Sequence, residues 1–256
     1  MRKISVFVLV MVLAMASAAA AQPAKWGGFY LGATVGSAAG TSNATTTTVF
    51  SNTGYFATTS VPAIATAGVQ TISPKGVTYG GRVGFNVQAG AFVFGVEADF
   101  SSMKQSATAT SGAVYPCCAG TAFTINQTVS NTWLLTARPR IGVAFGPVLI
   151  FGTGGLAVTD VAYNQTFSDT FATASESAGG KETRKGWTAG GGIEVQFAKR
   201  FSVRGEYLYA NFGSLTPMTS TNFTAFTPPI PFTANPFTSN ASLTSRIVRF
   251  GFNVRF

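Results

Sequence analysis

Apolar and polar residues alternate along this chain with period two, in short stretches joined by connections that are brief and long in turn. The clearest stretch covers 76–88. There Val77, Tyr79, Val83, Phe85 and Val87 fall on one face, and Thr78, Gly80, Arg82, Gly84, Asn86 and Gln88 on the other. A tight turn at Gln88-Ala89-Gly90 leads into 91–101, where Phe92, Phe94, Val96, Ala98 and Phe100 share a face opposite Gly95, Glu97 and Asp99. The pair predicts a hairpin with one apolar and one polar side.

The same pattern continues downstream. Trp133, Leu135, Ala137, Ile141, Val143 and Phe145 alternate with Thr132, Thr136, Arg138, Arg140 and Gly142. Pro139 interrupts that strand without a ladder donor, so a bulge or register shift is expected there. After a Gly146-Pro147 turn a fifth strand covers 148–163, its faces undecided because Val148, Leu149, Ile150 and Phe151 are all apolar. Trp187, Ala189, Ile193, Val195 and Phe197 then oppose Thr188, Gly190, Gly192, Glu194 and Gln196. Past Ala198-Lys199-Arg200, Phe201, Val203, Tyr207 and Tyr209 oppose Ser202, Arg204 and Glu206. A last strand sets Val248, Phe250, Phe252, Val254 and Phe256 against Ile247, Arg249, Gly251, Asn253 and Arg255. With a first strand of Phe29, Leu31, Ala33 and Val35 against Tyr30, Gly32, Thr34 and Gly36, eight are expected.

Four long polar connections separate these hairpins, at about 38–75, 102–131, 164–184 and 213–245. Loops beyond about 15 residues are uncommon in compact soluble domains. Short periplasmic turns and long extracellular loops are the expected arrangement of an outer-membrane barrel. The expected fold is therefore all-β: an eight-stranded antiparallel transmembrane β-barrel with short periplasmic turns and four long extracellular loops. The polar face supports it. Its glycines are interrupted by Arg82, Glu97, Asp99, Arg138, Arg140, Glu194, Arg204, Glu206 and Arg249, a set that suits a narrow lumen where opposite charges satisfy one another. The aromatic face suits lipid.

The N-terminus adds a destination. Arg2 and Lys3, an apolar run over 4–15 and small residues over 17–21 have the form of a cleavable secretory signal, leaving 22–256 as the barrel domain. Net charge is +9, and +7 without Arg2 and Lys3. An exported chain with scattered basic residues does not point to nucleic acid; the natural partner of that charge is anionic lipopolysaccharide. Cys117 and Cys118 are the only cysteines and are adjacent, so they form a vicinal disulfide or remain thiols. With no histidine in the chain, neither a metal site nor a histidine-based catalytic centre is expected. Asp160, Asp169, Glu176 and Glu182 lie in or near loops and read as solvated charges.

Several stretches carry a resemblance: Trp26-Gly-Gly-Phe-Tyr-Leu-Gly, Tyr79-Gly-Gly-Arg-Val-Gly-Phe-Asn, Phe94-Gly-Val-Glu-Ala-Asp-Phe and Gly205-Glu-Tyr-Leu-Tyr. They resemble the alphaproteobacterial small surface barrels, which include major brucella and rhizobial outer-membrane antigens and are grouped with OmpA-like domains. The resemblance implies an outer-membrane protein without catalytic residues or cofactor, carrying a porin-like label. The ending Phe250, Phe252, Val254 and Phe256 resembles the signal read by the barrel-assembly machinery. The expected function is structural: envelope support and presentation of surface loops. A small low-conductance porin and a surface adhesin are the alternatives, and oligomeric state is open.

Overall fold

The computed structural model describes residues 25–256, so the expected signal at 1–21 lies outside the described residues. Eight long antiparallel strands form a closed ring: β1 (Gly28–Thr48), β3 (Lys75–Ala89), β4 (Phe92–Val114), β5 (Ala122–Phe145), β6 (Val148–Asp169), β7 (Ser175–Ala198), β8 (Phe201–Ser214) and β12 (Phe237–Arg255). The ring closes because β1 pairs with β3 on one side and β12 on the other, from Tyr30↔Arg255 to Thr48↔Phe237. Short elements decorate its upper end: helix α1 (Ser60–Ala67), β2 (Gln70–Ile72), β9 (Met218–Ser220), β10 (Thr224–Ala225) and β11 (Ile230–Pro231). Among the described residues no helix is long and apolar enough to cross a membrane.

The lower ends of the strands are joined by two-residue turns. Gly90 and Gly146 supply the positive φ that such hairpins require. Around the lower half the alternating apolar residues point outward, with Val96, Phe100, Ile141 and Phe250 all more than half exposed. For a chain in water this would be an unexplained apolar band; against lipid it is the expected surface.

The structure corrects three expectations. Most of what reads as loop at 38–75, 102–131, 164–184 and 213–245 is strand, and the true connections are 49–74, 115–121, 170–174 and 215–236, the first and last holding the short elements. A strand of 24 residues is about 80 Å long, and tilted about 40° it stands roughly 60 Å tall, against an apolar band of about 25 Å. The upper wall therefore stands in water, where Thr and Ser serve on the outer face. Second, Pro139 causes no register shift. It stays opposite Val96, and the β5–β6 register resumes unchanged at Arg140↔Thr153. The bulge lies higher, between Ser130 and Leu134, and turns Thr132 outward, where it is exposed rather than lumenal. Third, Asp160 and Glu176 are buried, not solvated. Asp160 fills the bulge, accepting hydrogen bonds from the Thr132 and Trp133 amides at 2.8 and 3.1 Å. In β6, Leu149 and Phe151 face the lumen and Ile150 the lipid.

Candidate functional site

The lumen is filled in layers. At the periplasmic end Trp26 is fully buried with Val93, Leu149 and Phe151. Its indole donates to the Gly146 carbonyl at 3.3 Å, and the Arg255 guanidinium stacks 4.8 Å above its ring. Alternation along each strand then brings one charged row inward above this floor.

All nine lumen residues read from the sequence meet there. Arg82 comes from β3, Glu97 and Asp99 from β4, Arg138 and Arg140 from β5, Glu194 from β7, Arg204 and Glu206 from β8, and Arg249 from β12. Arg138 binds Glu97 and Asp99 at 2.7 Å each and Glu206 at 2.6 Å. Arg249 holds Asp99 through both Nη atoms, at 2.8 and 2.9 Å. Glu206 also takes Arg204 at 2.7 Å and Arg82 at 3.2 Å, so four guanidiniums converge on it. Arg204 also binds Glu97. Arg140 pairs with Glu194 at 3.0 Å, and Ser202 and Asn253 donate to the same carboxylate at 2.6 and 2.9 Å. These ion-pair side chains are at most 1% exposed.

The two strands that give no charge give aromatic residues instead. Tyr30 of β1 donates to Glu97 at 2.6 Å and accepts from Arg140 at 3.1 Å. A Cβ on Gly84 would lie 2.3 Å from the Tyr30 ring, so glycine is what admits the tyrosine. Phe151 of β6 lies between Arg140 and Arg204, 4.3 and 4.1 Å from its ring centre, where its π faces offset part of the excess positive charge. Sequence reasoning missed both. Tyr30 reads simply as a polar-face residue, and Phe151 sits in an apolar run that has no readable period.

Above the charges lies an apolar layer that includes Met103, Leu134, Leu208, Phe212, Leu243 and Ile247. Above that, Phe56, Phe123, Phe167, Phe223 and Phe237 pack in edge-to-face, tilted and stacked pairs as a cap. The 49–74 connection folds into the mouth, with Ile64 of α1 fully buried in this cap. Tyr55 and Tyr115 both donate to Asp169 at the rim, at 2.6 and 3.0 Å. Cys117 and Cys118 form a vicinal disulfide, with Ser60 Oγ 3.6 Å from the Cys117 sulfur.

Burial and the Asp169 carboxylate together raise both tyrosine hydroxyls well above the ordinary phenol range. A raised folded-state value means that their contribution is complete below about pH 10 and is lost only as the pH rises beyond it. Absorbance titration at 295 nm should therefore show an upper step to which Tyr55 and Tyr115 contribute, and the Asp169→Asn variant should lower that step. A single titration near pH 10 for every tyrosine outside the membrane would exclude the cap.

The residues expected as an assembly signal lie on the closing strand. Phe250 and Phe252 face lipid, and Phe256, two-thirds exposed, sits 6.1 Å from Phe29 across the β1–β12 seam. Among the described residues no group of three or more metal-ligating side chains gathers.

A family model described as the outer membrane protein beta-barrel domain matches residues 7–256. Among curated relatives, a 22 kDa outer membrane protein of Rhizobium leguminosarum bv. viciae is 31% identical over 138 residues, covering 53% of this chain and 54% of that protein. A 31 kDa outer-membrane immunogenic protein of Brucella melitensis is 32% identical over 145 residues, 54% of this chain and 56% of the relative. The chain thus spans about half the length of the curated relatives it matches. Among solved structures, the outer membrane protease OmpT of Escherichia coli aligns at a TM-score of 0.44 and 9% identity, over 90% of this chain and 97% of that one.

Proposed function

The chain belongs to the outer membrane protein β-barrel domain family, and from that premise we propose that it is a closed structural barrel of the outer membrane. It supports the envelope, meets outer-leaflet lipopolysaccharide along its wall and presents its upper rim to the outside. The observation that carries this reading is the stacking of layers across the lumen. Floor, charge network, apolar layer and aromatic cap each contain side chains with essentially no exposure, such as Trp26, Arg249, Met103, Leu208 and Phe223. A solute would have to break ion pairs held in low dielectric and then cross two apolar layers. An eight-stranded ring has room only for side chains, and here they fill it.

The same packing argues against a catalytic role. The chain has no histidine; the lumen carboxylates are occupied by guanidiniums and Asp160 by the bulge, and the remaining buried acid, Glu176, stands apart from any other carboxylate or nucleophile pair. The immunogenic label of the Brucella relatives fits a protein whose rim projects well beyond the lipid.

Planar-bilayer conductance of the refolded chain, with unboiled gel mobility certifying that it has folded, tests the reading directly. The expected record is silent at concentrations where a porin gives steady steps. Reproducible unitary steps would instead identify a small diffusion channel.

A further inference from the structure

Charge is sorted between the inside and the outside of this barrel. None of the eight carboxylates is fully exposed: four lie in the lumen network, one fills the β5–β6 bulge, Asp169 and Glu176 sit at the extracellular mouth, and Glu182 on the β7 wall is engaged by Thr216 and Arg184. Among the described residues the exposed charged side chains are all basic. Lys75, Lys104, Lys181, Lys185 and Arg246 project from the wall just above the apolar band, while three others lie at the periplasmic end.

Three of the upper five are neighbours. Arg246 of β12 is opposite Ala39 of β1, and Ala39 is opposite Lys75 of β3, so Arg246 and Lys75 stand about 10 Å apart at one level. Lys75 is opposite Ser106 and Val77 opposite Lys104, which puts Lys104 on the diagonal from Lys75, roughly 7–8 Å away. Among the described residues none of the three makes a salt bridge, whereas Lys181 is engaged by Asp160 at 2.9 Å. Directly below them the wall is apolar and exposed, with Val77, Tyr79, Phe100 and Val248. Above them the outer face is a lattice of hydroxyls and amides. Thr108 and Thr128 are 2.7 Å apart, Thr110 donates to Asn126 at 2.7 Å, and Asn126 donates to Thr166 at 3.3 Å.

Resting on the outer-membrane reading above, we infer that Arg246, Lys75 and Lys104 form a site for the phosphate groups of a phosphorylated glycolipid of the outer leaflet. The order up the wall is the order of such a molecule. Acyl chains lie on the Val77–Tyr79–Phe100 surface, phosphates meet the three free cations, and the sugars beyond face the Thr and Asn lattice. Charge complementarity selects the occupant, because nothing anionic in this chain reaches the three cations and no exposed carboxylate opposes an incoming phosphate. An unphosphorylated lipid would leave them unpaired at the membrane interface.

The test uses the refolded chain in neutral micelles doped with lipid A or with the same lipid stripped of phosphate, binding being read by native mass spectrometry. Wild type should hold the phosphorylated form at least tenfold more tightly. The triple variant K75Q/K104Q/R246Q should lose that preference by roughly tenfold to a hundredfold, at about fivefold per cation near an anionic surface, with its gel mobility unchanged. A K199Q/R200Q control in the periplasmic β7–β8 turn should change binding less than twofold. If wild type shows no preference for phosphate, the lipopolysaccharide partner itself is overturned. If wild type prefers phosphate and the triple variant keeps that preference, or the control loses as much, the site is overturned while the envelope reading stands.

Discussion

The Glu206→Gln variant should lose at least about 3 kcal/mol of stability, the cost of stranding buried guanidiniums without their counter-charge. Glu206 is where the network concentrates, with Arg138, Arg204, Arg82 and Arg249 at 2.6, 2.7, 3.2 and 3.4 Å. The lumen network already carries five arginines against four acids. Removing one negative charge doubles the imbalance, among side chains that are at most 1% exposed. Urea unfolding of the micelle-bound barrel measures the loss. A deficit below about 1 kcal/mol would indicate a lumen wet enough to solvate the arginines, since exposed pairs are worth no more than that. The double variant R82Q/E206Q separates charge balance from lost hydrogen bonds. Arg82 makes the fewest contacts of the five, with Glu206 at 3.2 Å and Glu97 at 3.8 Å. Restoring the balance should recover about 1 kcal/mol or more of the loss, within the coupling range of contacting residues.

Asp160 carries the second large effect. Its carboxylate is all that satisfies the two amides freed where β5 and β6 fall out of register, and it also accepts the Thr132 hydroxyl at 2.6 Å. The Asp160→Ala variant leaves those partly buried donors without a protein partner and should cost about 1–2 kcal/mol. Asp160→Asn retains an acceptor and loses chiefly the link to Lys181. That lysine is 61% exposed, so the asparagine variant should cost less than about 1 kcal/mol. The order of the two variants in the same urea assay is the discriminating result. Equal losses would mean that the salt bridge, not the bulge, is what Asp160 serves.

The lower barrel is legible because lipid demands a strong contrast between faces. Phe94, Val96 and Phe100 against Glu97 and Asp99 mark two plainly different faces, and the nine lumen charges follow once the polar face is turned inward. The upper barrel is not legible for the converse reason. Along 41–48 the outward residues are Thr41, Asn43, Thr45 and Thr47, and the inward ones Ser42, Ala44, Thr46 and Thr48. Water outside and a mixed packing inside accept the same small side chains, so the period vanishes from the hydropathy although the strand continues. Pro139 misleads in another way. Its ring removes one donor, but Val96 remains its partner on β4 and Thr153 donates to its carbonyl at 2.8 Å, so the ladder passes it without slipping. The Phe-Pro pattern of Phe226 to Phe237 is readable as a loop packing over the mouth, but Phe56, Phe123 and Phe223 lie far apart in the chain, in segments without periodicity that do not show which of them meet it in the cap.

The seam between β1 and β12 joins residues about 190 to 225 positions apart, the first and the last of the eight ring strands in chain order. Until β12 is in place, β1 and β8 are both open edges, each offering a row of unpaired amides and carbonyls to any neighbouring chain. Asp99 likewise keeps only Arg138 as a charged partner until that strand arrives, since Arg249, which holds it through both Nη atoms, belongs to β12. Biogenesis of this protein is thus a problem of waiting. Every unfinished barrel is an adhesive ribbon with open edges, and the nineteen-residue β12 both zips those edges and completes the pairing of Asp99 and Glu206.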